Sequence, residues 1–259
     1  MISPHPFRVF GPSHLAVLGA TAAVTAALVA AARRAGDGPS GGHAPAGAAP
    51  TAAAAPAGAA TRIAWCLAGL LLLAEAAVLA LAAHADPASM KDHLPFQLCD
   101  WVIFAAVAAL LWRRRLAYEL AYFWGLSGTL QALLTPDLAE DFPSLHFVTF
   151  QTLHATVVVA VLYLTLGLGM RPWPRSILRA WLWLQPYVAV TAVLDRLLGA
   201  NYGYLLRKPV QASVFDYLGP WPWYLLSLEA LALALFVACY IPFALLDRLR
   251  RGEGTPIPV

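Results

Sequence analysis

The chain has 259 residues, 60% of them hydrophobic and only 12% charged, with a mean hydropathy of +0.66. That balance excludes a soluble globular domain. The net charge of +3 and pI near 8.9 do not argue for a nucleic-acid partner, because the basic residues cluster at the ends of apolar runs, where they act as topology signals.

Seven runs of roughly 18–24 apolar residues are each long enough to cross a bilayer core as a helix that closes its own hydrogen bonds. They lie at about 12–32, 63–84, 96–112, 117–134, 145–168, 177–199 and 223–246. The predicted fold is all-α: one transmembrane domain, residues 1–259, forming a bundle of about seven helices. The first run is too long for a cleavable signal and lacks a cleavage site, so it reads as a true span. With seven spans, twelve of the 17 Lys and Arg fall on one side, including Arg33, Arg34, Arg62, Arg113–Arg115, Arg171, Arg175 and Arg179. The other five are Arg8, Lys91, Arg196, Arg207 and Lys208. The positive-inside rule then puts the N-terminus outside and the C-terminus in the cytoplasm, for a multi-pass protein of the inner (plasma) membrane. Residues 35–60, nearly all Ala, Gly and Pro, read as a flexible cytoplasmic linker, and His43 within it has no functional reading.

The third run opens on His93-Leu94-Pro95-Phe96-Gln97-Leu98-Cys99-Asp100. Ionisable groups at membrane depth are costly and usually functional. Cys66 and Cys239 lie among apolar residues and read as small buried hydrophobes, whereas Cys99 has polar neighbours on both sides. Within the fifth run, His154 falls roughly 15 Å below the helix start. His146, Phe150 and His154 share one face, with Gln151 beside them. A cysteine that meets a histidine there is a candidate nucleophile, although a histidine serving only helix packing fits the same pattern.

Other polar groups fall in the same half of the predicted bundle: His14, Gln131, Asp195, Asn201, Tyr202, Arg207 and Lys208. Asp100 or Asp195 could orient the imidazole, and Arg207, Lys208 or His93 could receive a lipid phosphate. Asp195 with Arg196 also reads as an end-of-helix ion pair. Of the remaining acids, Glu119 reads as a partner of the Arg113–Arg115 cluster. Glu75 and Glu229 lie within spans without an evident partner, as a proton-coupled transporter would need.

The order of motifs resembles the YwaF-like bacterial integral membrane proteins. The resemblance rests on Gly11-Pro12-Ser13-His14-Leu15, on His93-Leu94-Pro95 through Cys99-Asp100, and on Tyr118-Glu119 followed by Phe123-Trp124-Gly125 through Thr135-Pro136. His154, Asn201-Tyr202, Lys208-Pro209 and Leu218-Gly219-Pro220-Trp221-Pro222-Trp223-Tyr224 complete it, so it covers nearly all of the chain outside 35–60. The same group is similar to a vertebrate transmembrane cysteine acyltransferase and, more distantly, to the androgen-induced lipid hydrolases, which use threonine where this chain has Cys99. The resemblance implies acyl transfer from phospholipid to lysophospholipid, with Cys99 as nucleophile and His154 as base, in the outer-leaflet half of the membrane. Its implied partners are phospholipids and lysophospholipids, with no nucleic acid, no cofactor and no metal. Three alternatives stay open: a lipid-ester hydrolase using the same pair, a transporter using Glu75 and Glu229, and a metal site built from His93, Cys99, Asp100 and His154.

Overall fold

The computed structural model describes residues 6–36, 58–85, 87–209 and 214–252. Among these the protein is all-helical, apart from one isolated antiparallel bridge between Pro6 and Glu140. Its helices are α1 (Pro12–Gly36), α2 (Ala59–Ala85), α3 (Leu98–Trp112), α4 (Arg115–Trp124), α5 (Leu130–Leu134), α6 (Leu145–Leu162), α7 (Pro174–Leu198) and α8 (Trp223–Gly252). A π-helical turn, Gly125–Thr129, joins α4 to α5, and another, Tyr163–Gly167, extends α6. The bundle is thus seven rods, with α4 and α5 forming one broken rod. The predicted linker lies outside the described residues except at its ends, where Ala35 and Gly36 finish α1 and residues 59 and 60 begin α2.

Five rods are long and apolar enough to cross a membrane: Pro12–Ala35, Ala59–His84, Leu145–Gly167, Pro174–Leu198 and Trp223–Leu249. The chain is a multi-pass membrane protein. The other two expected spans differ for separate reasons. α3 has only 15 residues, because the turn at Arg113, in the left-handed region with φ 53°, reverses the chain. The α4–α5 rod carries more polar groups, and its neighbours enclose them. Tyr118, Glu119, Tyr122, Phe123 and Trp124 are all buried. The Tyr122 hydroxyl donates to the Cys239 carbonyl at 2.8 Å, and Trp124 Nε1–H to the Ala180 carbonyl at 3.2 Å. α4 therefore ties α7 and α8 to α3 and α6 at the centre of the core.

Local chemistry sets the helix ends. The Gln97 N–H donates to Asp100 Oδ2 at 2.7 Å, capping α3, and the Phe147 N–H donates to Ser144 Oγ at 3.1 Å, capping α6. Pro174 occupies the first turn of α7, where its missing N–H costs nothing, and Gly199 at φ 65° ends that helix. His14 proves to be a structural staple. It is fully buried, accepts from the Phe10 N–H at Nδ1 (2.9 Å), and so donates Nε2–H to the Leu133 carbonyl (2.8 Å).

Candidate functional site

Cys99 is the second residue of α3 and is half-buried. Its thiol lies near the Thr129 side chain and within electrostatic reach of Asp100 and Glu75. Tyr187 of α7 and Tyr204 of the following loop also couple electrostatically to it. Thr129 closes the π-helical turn, is fully buried, and its Oγ1 makes no hydrogen bond of good geometry. Such turns inside α-helices recur at functional sites, and this one ends on a buried hydroxyl in the neighbourhood of Cys99.

His154 is buried in α6, 7% exposed, with its ring stacked on Phe150 at 4.0 Å between centroids. Nδ1 lies 2.8 Å from the Phe150 carbonyl. A carbonyl only accepts, so Nδ1 carries the proton and Nε2 keeps its lone pair. Nε2 has no hydrogen-bond partner among the described residues. The depth of His154 relative to Cys99 follows from Gly125. A Cβ built there would lie 3.4 Å from Val102 of α3 and 3.6 Å from Val157 of α6. Cys99 and His154 each precede these valines by three residues, so both stand about 4.5 Å nearer the same end of the bundle, flanking the 125–129 turn. Gln151, about one turn before His154 in α6, is 2% exposed, and neither of its side-chain amide atoms has a partner among the described residues.

The segment after α7 folds back over the start of α3. The Gly203 N–H donates to Gln97 Oε1 at 2.8 Å, the Tyr202 hydroxyl donates to the Lys91 carbonyl, and Tyr202 packs edge-on against Phe96. Asp195, fully buried, accepts the Tyr202 N–H at Oδ1 (2.6 Å), while its Oδ2 has no hydrogen-bond partner among the described residues. Asn201 Oδ1 accepts from Leu206 (3.1 Å) and Arg207 (2.9 Å) and closes the loop on itself. Only glycine fits at 203: φ is 60°, and a Cβ would lie 2.8 Å from the Tyr187 hydroxyl. Tyr204 follows at φ 55°, a strained position for a bulky residue. Burial, with the Asp137 carboxylate beside it, raises the Tyr204 phenol above its ordinary range, so it remains a protonated donor.

The residues expected at the site therefore separate. Asp100, Asp195 and Tyr202 converge with Cys99 at the α3 entrance, Asp100 mainly as a helix cap and Asp195 as a loop anchor. Asn201 shapes the covering loop. His93, Gln131 and Arg207 are exposed, and Lys208 lies over the Tyr224 ring at 5.6 Å. His146 is exposed, its ring tilted by 52° against that of Phe150 at 6.3 Å between centroids. No group of three or more His, Cys, Asp or Glu able to hold a metal occurs among the described residues, so the four-residue metal reading finds no support. Glu229 accepts from Gln185 Nε2 at 3.0 Å, whereas Glu75 lies within electrostatic reach of Asp100, so the two acids have different surroundings. Glu119 pairs with Arg115, as expected, and also with Arg179. Cys66 is exposed rather than buried, on an open apolar concavity that α2 forms beside Leu28 of α1; apolar surroundings suit it equally in lipid. Thr129, Tyr187 and Tyr204 were not anticipated as site residues. The Thr in Gly128-Thr129 and the Tyr-Gly-Tyr run were the only traces of them in the sequence.

A curated relative, an uncharacterized protein of Treponema pallidum (strain Nichols), is 30% identical over 159 residues, 61% of this chain and 65% of that protein. The match thus spans just under two thirds of the relative's length. No solved structure matches. The family model described as TMEM164 family matches residues 9–240, which takes in Cys99, His154 and the covering loop. The chain belongs to the TMEM164 family, the vertebrate side of the resemblance carried by its motifs.

Proposed function

We propose that the protein is a phospholipid acyltransferase that moves a fatty acyl chain from a phospholipid to a lysophospholipid through a thioester on Cys99. Membership of the TMEM164 family is compatible with a membrane acyltransferase-like role. The observation that carries the reading is the tautomer of His154: Nδ1–H is committed to the Phe150 carbonyl, which leaves Nε2 as a base at the depth of Cys99.

In this mechanism Nε2 takes the Cys99 proton as the sulfur attacks the ester carbonyl. The tetrahedral intermediate collapses, the ester C–O bond breaks, and the imidazolium returns the proton to the departing lysophospholipid oxygen. A second lysophospholipid then gives its hydroxyl proton to Nε2 and attacks the thioester, releasing new phospholipid and restoring the thiol. Thr129 and Tyr204 supply hydroxyl donors beside the sulfur. Burial by the 200–208 loop keeps water scarce, which favours transfer over hydrolysis. A lipid-ester hydrolase is the same machinery with water as acceptor. The proposal further places the site in the outer-leaflet half of the inner membrane, with Arg207 and Lys208 toward the headgroup, within a single transmembrane domain of a YwaF-like protein.

The test is acyl exchange between labelled phospholipid and lysophospholipid by purified protein. Cys99→Ala should abolish exchange, and His154→Ala should lower it by about 10²–10⁴-fold. Full activity in Cys99→Ala would end the thioester mechanism. Solute uptake that survives Cys99→Ala but fails in Glu75→Gln would favour a transporter instead.

A further inference from the structure

At the arginine-rich end of the bundle, remote from Cys99, the starts of α4 and α7 form a half-open cavity of about 430 Å³. It is lined by Arg115, Trp173, Pro174, Arg175, Ser176 and Arg179. A volume of that size is in the range of small-ligand sites. The acid of the cluster is Glu119, fully buried beneath it. Its Oε1 accepts from Arg115 Nε at 3.0 Å and from Ser176 Oγ at 2.6 Å, and its Oε2 accepts from Arg179 Nη1 at 2.7 Å. Both carboxylate oxygens are thereby used in holding two guanidinium groups at the rim. Those arginine side chains remain 54% and 43% exposed, so most of their donors are free.

Arg175 is exposed and has no acidic partner among the described residues. Three guanidinium groups thus face one carboxylate, and the cavity carries two positive charges in excess. Trp173 lines it, with the Arg115 and Arg171 guanidinium groups over its ring at 5.2 and 5.1 Å from the ring centre. Arg171 is matched by Asp247 at 2.7 Å and adds no net charge. Planar guanidinium forks that converge on one concavity suit a tetrahedral oxyanion, and tryptophan is favoured at the level of lipid headgroups.

We propose that this cavity binds a phosphate group, supplied by the headgroup of an anionic phospholipid or by a soluble phosphate. It is a second site, independent of the chemistry at Cys99. Arginine clusters at the ends of spans attract anionic headgroups in any case. What distinguishes this one is a half-open cavity in which Glu119 preorganises two arginines while a third has no acidic partner among the described residues.

The test uses the full chain in nanodiscs of phosphatidylcholine containing phosphatidate, with retained phosphatidate measured by native mass spectrometry. Inorganic phosphate, added in detergent without anionic lipid, is the second probe. Because Arg175 is exposed and unpaired, Arg175→Ala and Arg175→Glu should leave thermal unfolding unchanged. Loss of one charge-assisted contact should weaken phosphatidate binding about tenfold in Arg175→Ala, and more in Arg175→Glu. Arg114→Ala, exposed at the same end but outside the cavity, should change it by less than about twofold. Retention of phosphatidate that inorganic phosphate displaces assigns a headgroup site. Saturable phosphate binding without phosphatidate retention, lost in Arg175→Glu, assigns a soluble ligand to the same cavity. Equal binding by wild type and Arg175→Glu, an equal loss in Arg114→Ala, or no saturable binding of either probe by wild type would overturn the proposal.

Discussion

His154 both stacks on Phe150, at 4.0 Å between ring centres, and donates its Nδ1–H to the Phe150 carbonyl at 2.8 Å. One residue therefore sets the ring's orientation through its side chain and its tautomer through its backbone. The two controls separate on mutation. Phe150→Ala removes the stacking, worth about 0.5–1.5 kcal/mol, but keeps the carbonyl. Acyl exchange should fall about twofold to tenfold, against a far larger loss in His154→Ala. A Phe150→Ala loss as large as that of His154→Ala would show that the backbone bond does not hold the tautomer.

Thr129 separates stability from activity. Its buried hydroxyl lacks a hydrogen bond of good geometry, so Thr129→Val, which keeps the shape, should leave the melting temperature unchanged or raise it. Exchange activity should nevertheless fall, and Thr129→Ser should restore it. A Thr129→Val protein with wild-type turnover would remove the hydroxyl from the mechanism.

Asp195 anchors the covering loop through a hydrogen bond that asparagine can also accept. Asp195→Asn should be tolerated. Asp195→Ala leaves the buried Tyr202 N–H unpaired and should cost about 1–3 kcal/mol in thermal unfolding. Equal stability of the two variants would show that the carboxylate charge, rather than the bond to Tyr202, matters there.

Glu119 is fully buried, but Arg115 and Arg179 can turn to water when it is lost. Glu119→Ala should therefore destabilise by about 1–3 kcal/mol, less than the ~3–5 kcal/mol of breaking a wholly buried pair. Denaturant unfolding in detergent measures it. A cost at or above the upper figure would mean that the arginines are more constrained than their exposure indicates.

Much of this architecture was legible in the sequence, because apolar runs and arginine clusters report directly on a helical bundle in lipid. All seven predicted runs begin within a few residues of a helix start, and Arg113–Arg115 marks the tight α3–α4 turn. The π-helical turn at 125–129 was not legible: the two glycines of Gly125-Leu126-Ser127-Gly128-Thr129 mark a weak point in a helix but not the kind of turn, and Gly125 packs close to Val102 and Val157, which are distant in the chain. Nor was the covering loop, since the Gly203–Gln97 bond joins residues 106 apart in the chain and leaves no periodic trace. Cys99 and His154 stood out because polar groups are rare in apolar runs. Tyr187 and Tyr204 did not, because tyrosine is ordinary at a membrane interface.

The central claim, a covalent acyl intermediate on Cys99, is tested most directly by intact-mass measurement of purified protein after incubation with a phospholipid of defined acyl chain. The account predicts a mass increase of one acyl group that hydroxylamine removes, that is absent in Cys99→Ala, and that forms far more slowly in His154→Ala. An adduct of the same size in Cys99→Ala, or acyl exchange by the wild type with no adduct at any time, would contradict it.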